Sequence, residues 1–200
     1  MNKNKLIIAS NNNHKISELR NILSDLNNID IRSLRDENIF IEVDETGGTL
    51  EENAYLKASE IHQISGLPVI ADDTGLFVDS LNGNPGVHSA RYAGENSTYK
   101  QNCVKLISEL NKLKLNFSRA EFKTVICFIN EKGEEKYFEG IVKGKIITEF
   151  RGENGFGYDP LFIPDGFEKT FAELSDDEKN NLSHRAMAVK KFAEYFKKLV

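Results

Sequence analysis

Pro68-Val-Ile-Ala-Asp-Asp-Thr-Gly-Leu-Phe-Val-Asp79 decides the fold, because here an apolar run meets two adjacent carboxylates and a Thr-Gly pair. A short apolar run bounded by turn signals reads as a buried strand. Val69, Ile70 and Ala71 are therefore expected to form a strand that ends at Asp72, Asp73, Thr74 and Gly75. Carboxylates at a strand end hold a metal or cap backbone. The same Asp-Thr-Gly also fits a plain tight turn, since Asp bonds nearby backbone and Gly tolerates positive φ. The rest of the chain must choose between the two.

Upstream, residues 5–9 read as another short strand, followed by the polar run Ser10-Asn-Asn-Asn-His-Lys15. Ile16, Leu19, Ile22, Leu23 and Leu26 then recur at helical spacing, with Asn13 expected as the N-cap. A strand, a polar turn and a helix start present N–H groups, amides and Lys15 where anions are favoured; simple capping accounts for the same residues. A second strand is expected near Ile29 to Ser33. After the acidic Glu42-Val-Asp-Glu-Thr-Gly-Gly48, Thr49-Leu-Glu-Glu52 has capping-box form and opens a helix. Its stripe is Leu50, Ala54, Ala58 and Ile61. Lys57 sits on the margin of that stripe, where a lysine either snorkels or meets an anion; helical position alone favours snorkelling.

Downstream, Leu81-Asn-Gly-Asn-Pro-Gly86 is a run of turn formers leading to Ser89-Ala-Arg-Tyr92. Tyr99, Cys103, Leu106, Ile107, Leu110 and Leu113 mark a helix capped by Ser97 or Thr98, read as structural. Residues 119–129 and 135–148 read as a hairpin across Asn130-Glu-Lys-Gly-Glu134, and 152–160 as a flexible, aromatic-bearing loop. A last helix places Ala186, Val189, Phe192, Ala193 and Phe196 on one face behind Ser183. His184 and Arg185 fall in its first turn, where cations cost a few tenths to about 1 kcal/mol, so a ligand-facing role is expected for them. Strands alternating with helices plus one hairpin give an α/β fold with a mixed sheet.

Bulk properties narrow the function. The 200 residues, 40% hydrophobic and 28% charged, suit one domain or one body with two lobes. A net charge of −5 offers polyanions no general attraction, so nucleic acid is not an expected partner. No stretch reaches the ~18 apolar residues of a membrane span, and no signal-peptide pattern opens the chain; a cytoplasmic protein without membrane contact is expected. Cys103 and Cys127 lack metal-ligand spacing and read as core residues. Neither G-x-x-x-x-G-K-[ST] nor G-x-G-x-x-G occurs, which excludes P-loop and Rossmann nucleotide binding.

Taken together, Ser10-Asn-Asn-Asn-His-Lys15, Glu45-Thr-Gly, Glu52-Asn-Ala-x-x-Lys57-Ala, Ala71-Asp-Asp-Thr-Gly75, Pro85-Gly-x-x-Ser-Ala-Arg-Tyr92, Phe156-Gly-Tyr-Asp-Pro160 and Ser183-His-Arg185 resemble, in order and spacing, the motifs of the inosine/xanthosine triphosphate pyrophosphatases, the Ham1-like family. The resemblance spans nearly the whole chain. It implies an elongated mixed sheet flanked by helices, with two lobes around a central active-site cleft in a single domain over 1–200. It also implies hydrolysis of ITP, dITP and XTP to monophosphate and pyrophosphate, a Mg²⁺ requirement and a homodimer. Carried over by motif, Asp73 is the general base and, with Glu45, a metal carboxylate. Ser10, Asn11, Asn12, Asn13, His14, Lys15 and Lys57 contact the triphosphate, and Thr74 lines the site. Phe156, Gly157, Tyr158, Asp159, Lys179, His184 and Arg185 hold the nucleoside end. Thr74 stands where Ser is common in the family, and Asp44 competes with Glu45 for the metal role.

The chemistry explains these residue types. Attack of water on a triphosphate meets strong repulsion, so cations must neutralise the phosphates before a base helps. Hard Mg²⁺ prefers carboxylate, water and phosphate oxygens. Adjacent strand residues face opposite ways, so Asp72 and Asp73 are not an equivalent pair. Hypoxanthine and xanthine present O6 as an acceptor where adenine presents a donor, so a donor from His184, Arg185 or loop backbone rejects adenine. Two rivals remain. Asp73-Thr-Gly75 matches the core of an aspartic peptidase, although such enzymes are β-rich; a non-catalytic nucleotide- or partner-binding module would use the acids only as caps.

Overall fold

The computed structural model describes residues 4–26 and 29–198. They divide into two compact units, one from the described residues within 1–73, 124–140 and 185–200, the other from residues 74–123 and 141–184. The strands are β1 (Asn4–Ile8), β2 (Ile29–Ser33), β3 (Val69–Val78), β4 (Pro85–Gly86), β5 (Phe117–Ile129), β6 (Glu135–Ile147) and β7 (Phe162–Pro164). Their order is β2-β1-β3-β5-β6-β7, with β4 beside β3. β1 runs parallel to β2 and β3, whereas β4 on β3 and β7 on β6 are antiparallel. The expected mixed α/β architecture is present.

The first unit follows from period-2 alternation. Leu6 and Ile8 of β1, Ile70 of β3, and Ile126 and Phe128 of β5 point to one face. There they meet Leu19 of α1 (Asn13–Ile22) together with Ala188, Val189, Phe192 and Phe196 of α5 (His184–Phe196). The intervening Ile7 and Ala9, Val69 and Ala71, and Cys127 and Ile129 point the other way, onto Ala54, Ala58 and Ile61 of α2 (Leu50–Ser65). Burying each such aliphatic side chain contributes roughly 1.5–3 kcal/mol. With helices on both faces, the strands read as near-continuous apolar runs.

The second unit packs Cys103, Leu106 and Leu110 of α3 (Tyr99–Lys112) against Leu76, Val78, Phe122, Val142 and Ile146. A π-rich cluster fills it, with Phe122 edge-on to Phe162 at 4.8 Å and parallel to the His184 ring at 4.6 Å.

Several expectations are corrected. The acids do not end a strand: Asp72, Asp73, Thr74 and Gly75 lie inside β3, which continues to Val78. Gly75 is not in the left-handed region. A Cβ there would stand 2.8 Å from the Gly86 carbonyl oxygen, so glycine is required by the close approach of β4 and not by a turn. Asn12, not Asn13, caps α1; its side chain accepts the amide N–H groups of His14 and Lys15. Leu26 lies beyond the helix, although it still reaches the core. Thr49 caps α2 as expected, but the Glu52 carboxylate accepts the Gly48 N–H at 2.7 Å instead of closing the box. A short helix α4 (Asp176–Leu182) was not expected, although Ser175 and Glu178 form a full capping box at its start. The 152–160 loop is tied down: Asp159 accepts the Phe156 N–H at 2.8 Å, and the Asn154 side chain donates to the Leu174 carbonyl at 3.0 Å.

Gly75→Ala should lower the unfolding free energy by about 1–3 kcal/mol, as overpacking does, because a backbone carbonyl cannot swing aside. Urea denaturation measures this; an unchanged midpoint would contradict the close-approach account.

Candidate active site

Alternation along β3 sets the chemistry of the first unit. Asp72 has the parity of Ile70 and therefore faces α1 and α5. Asp73 has the parity of Val69 and Ala71 and faces α2. The two carboxylates consequently meet different partners.

Asp72 is 3% exposed. Its Oδ2 lies 3.2 Å from Lys15 Nζ and accepts a hydrogen bond from Arg185 Nε at 3.1 Å. Arg185, equally buried, also donates from Nη1 to Glu18 Oε2 at 2.5 Å. Burial opposes ionisation of Asp72, yet the Lys15, Arg185 and Lys57 charges outweigh it and hold the carboxyl well below the usual carboxylate range. Burial lowers Lys15, with Asp72 pulling the other way. Burial also works against the Arg185 charge, but Asp72 and Glu18 more than compensate. Asp72 is thus a fixed anion that orders two cations. It is no proton acceptor at neutral pH.

Asp73 is different. Its Oδ1 accepts from Lys57 Nζ at 3.0 Å and its Oδ2 from the Asn53 amide at 3.4 Å. Burial pushes its carboxyl above the usual range, against Lys57 and Lys15, and the neighbouring Glu45 adds to the rise. Lys57 also donates to Glu45 Oε1 at 2.5 Å. Burial pulls Lys57 down, but the Asp73, Glu45 and Asp72 carboxylates leave it raised. The expectation that Lys57 snorkels is corrected: its ammonium is shared by two carboxylates, and only 12% of the side chain is exposed. Glu45 reaches this position because residues 39–45 alternate, with Ile39, Ile41 and Val43 packing inward on the α2 core and Phe40, Glu42 and Asp44 exposed. Of the competing pair, Glu45 therefore joins the site and Asp44 does not.

The residues expected at the triphosphate are only partly drawn in. Lys15 and Lys57 join the carboxylates. Ser10 accepts the Asn12 N–H, Asn11 donates to the Ile41 carbonyl, and Asn13 and His14 begin α1 on its exposed side. Asn12 already takes two of the helix-start N–H groups.

The second unit carries the other expected group. Lys179 Nζ bonds Asp159 Oδ2 at 2.7 Å, both side chains being almost fully buried, and lies 4.7 Å from the centre of the Phe156 ring. Tyr158 donates its hydroxyl to the Ser89 carbonyl at 2.9 Å, and the Gly157 carbonyl accepts from the Cys103 thiol. Gly157 has a φ of 64°, which suits glycine. His184 is 3% exposed against Phe122, and Thr74 is half-buried in β3. The Arg185 guanidinium is bonded to Asp72 and Glu18, which removes the helix-dipole argument for a ligand-facing cation. Sequence reasoning gave no site role to Asn53 or Glu18 and read Tyr99, whose ring lies 5.8 Å from Phe156, as structural. The helical spacings Asn53 to Lys57 and Lys15 to Glu18 were the available signals.

Glu45 and Asp73 converge on one cation with oxygen donors, which suits a hard divalent metal. Among the described residues no group of three or more His, Cys, Asp or Glu side chains forms a metal cage. The aspartic-peptidase reading finds no support, because Asp73 shares an ammonium with Glu45 and not a proton with a second aspartate.

Comparison with known proteins yields close relatives. A family model described as the Ham1 family matches residues 6–195. A dITP/XTP pyrophosphatase of Thermoanaerobacter pseudethanolicus is 47% identical over 195 residues, 97% of each chain. One of Clostridium perfringens is 46% identical over 96% of this chain and 97% of its own. Among solved structures, the Staphylococcus aureus Ham1 protein superposes with a TM-score of 0.86 at 39% identity, covering 98% of this chain and all of its own. A HAM1 protein from Coxiella burnetii gives 0.88 at 36% identity, covering 98% and 99%.

Asp72→Asn should cost about 3–5 kcal/mol of stability, because it leaves Lys15 and Arg185 facing a neutral group in the interior. The folded-state pKa of Asp72 lies below its unfolded value of about 3.9, so its contribution is complete above that pH and is lost as pH falls through the folded value. Urea titrations below about pH 5 should show wild type losing stability with acid, and the variant losing less.

Proposed function

The chain belongs to the Ham1 family, and from that premise we propose that it hydrolyses ITP, dITP and XTP to the nucleoside monophosphate and pyrophosphate with Mg²⁺, removing non-canonical purines from the nucleotide pool. The observation that carries the reading is the Lys57 ammonium bonded to both Glu45 and Asp73, beside a separate Lys15–Asp72–Arg185 cluster. A carboxyl with raised proton affinity, as Asp73 has, beside fixed cations is what phosphoanhydride hydrolysis needs.

In this reading Asp73 is the general base. Burial raises its affinity for a proton, which brings it nearer the working pH. It takes one proton from water while the water oxygen bonds the α-phosphorus and the α–β bridging bond breaks, with pyrophosphate leaving. Lys57 has three N–H donors; it can keep Asp73 and Glu45 while offering the third to a phosphate oxygen. Lys15, held by Asp72, adds positive charge for the phosphates, and Ser10 to His14 supply polar groups at the start of α1. Bound Mg²⁺, held by Glu45 and Asp73, would neutralise phosphate charge. At the base, Phe156 provides a stacking face and Thr74 a polar wall. Lys179, His184 and the Gly157 N–H are the donors for O6, with Tyr158 and Asp159 shaping the loop. Arg185 acts by fixing Asp72.

We further read both units as one catalytic domain that works as a cytoplasmic homodimer on free nucleotides, with neither nucleic acid nor membrane as partner. The net charge of −5 supports the exclusion of nucleic acid, and no described helix is long and apolar enough to cross a membrane.

Wild type with Mg²⁺ should release one pyrophosphate and one monophosphate from dITP, ITP or XTP, and far less from ATP. Asp73→Asn should lower kcat by about 10²- to 10⁴-fold while the protein stays folded. Chromatography of the products decides: diphosphate plus phosphate, no cleavage at all, or a variant within a few-fold of wild type would each defeat the reading. A non-catalytic module predicts binding without turnover.

A further inference from the structure

Asn53 is fully buried and uses both ends of its amide. Its Oδ1 accepts the Gly47 N–H at 2.8 Å, and its Nδ2 donates to Asp73 Oδ2 at 3.4 Å. Lys57, one helical turn later on α2, takes the other oxygen of the same carboxylate. Two donors spaced i, i+4 on one helix face thus grip both oxygens of Asp73 and fix the plane of the group. At its other end the amide anchors Gly47, two residues beyond Glu45, whose carboxylate shares Lys57. Gly47 is shaped for this contact: a Cβ there would lie 2.8 Å from Asn53 Oδ1 and 2.6 Å from Glu52 Cβ. No solvation requirement explains the arrangement, since a buried amide on a helix facing the core costs stability unless both ends are paired.

We propose that Asn53 is a positioning residue, which sets the orientation of the Asp73 carboxylate and the register of the Glu45 segment against it through one amide. The inference rests on the hydrolytic reading above. Asn53 acts through Asp73 and through Gly47. Misplacing a base by as little as about 1 Å can cost ~100-fold in rate, so a long hydrogen bond that sharpens on substrate binding is sufficient for the role.

The test is a double-mutant cycle on dITP hydrolysis at saturating Mg²⁺, read as separate kcat and KM values alongside the thermal midpoint. Asn53→Leu removes both hydrogen bonds while keeping the branched shape of the side chain. Gly47→Ala leaves Asn53 in place and pushes the Glu45 segment off it. Each variant is expected to lose about 10- to 100-fold in kcat with KM within about threefold, and the double variant to lose little more than the worse single, since contacting residues that act as a unit are not additive. Losses that multiply in the double variant would overturn the proposal, as would changes confined to KM or to the midpoint. Should Asn53→Leu fail to fold, Gly47→Ala alone decides, and an unchanged kcat there is a refutation. A wild-type protein that releases no pyrophosphate would overturn the activity and this inference together, whereas an active wild type with unaffected variants overturns only the inference.

Discussion

Two neighbouring carboxylates on a buried strand must look in opposite directions, and the first unit is organised around that constraint. Helices cover both faces of β3, so neither Asp72 nor Asp73 can turn to bulk water for solvation. Each needs cations from the helix it faces. α1 and α5 supply Lys15 and Arg185 to Asp72, and α2 supplies Lys57 to Asp73. One dipeptide thereby yields two environments with opposite consequences for proton affinity.

The two environments differ in charge count. Around Asp72 two cations face one carboxylate, with Glu18 balancing the second charge of the cluster. Protonating Asp72 would strand those cations, so its carboxyl stays ionised and the group is structural. Around Asp73 a single ammonium serves two carboxylates, and burial then favours the neutral acid. A site short of one positive charge is ready for another cation, which is the electrostatic condition for taking a divalent metal together with an anionic substrate. The division of labour between adjacent aspartates arises from packing alone; their side chains are chemically identical.

In the second unit the Lys179–Asp159 pair is the comparable device. Asp159 also accepts the Phe156 N–H, so one carboxylate fixes both a lysine and the aromatic residue under it. Glycines at 155 and 157 with positive φ let the loop fold back on itself. The result is an aromatic face on the loop with a buried cation from α4 above it.

Much of this was legible in the residues. The helical stripes of α2, α3 and α5, the hairpin of β5 and β6, and the order of the Asp-Asp, Glu45 and Lys57 motifs all follow from local chemistry, because periodicity and spacing are properties of the chain. The limits are equally physical. Thr-Gly after two aspartates looks like a turn until β4 is known to lie against Gly75, and Lys57 looks like a snorkelling lysine until residues 39–45 bring Glu45 over it. Arg185 looks ligand-facing at a helix start until Asp72 and Glu18, distant in sequence, are found bonded to it. By itself the sequence determined the α/β class, the four longer helices and the identity of the acids and bases. Only the tertiary structure decided which acid meets which base, because that depends on strand parity against helices packed from opposite sides.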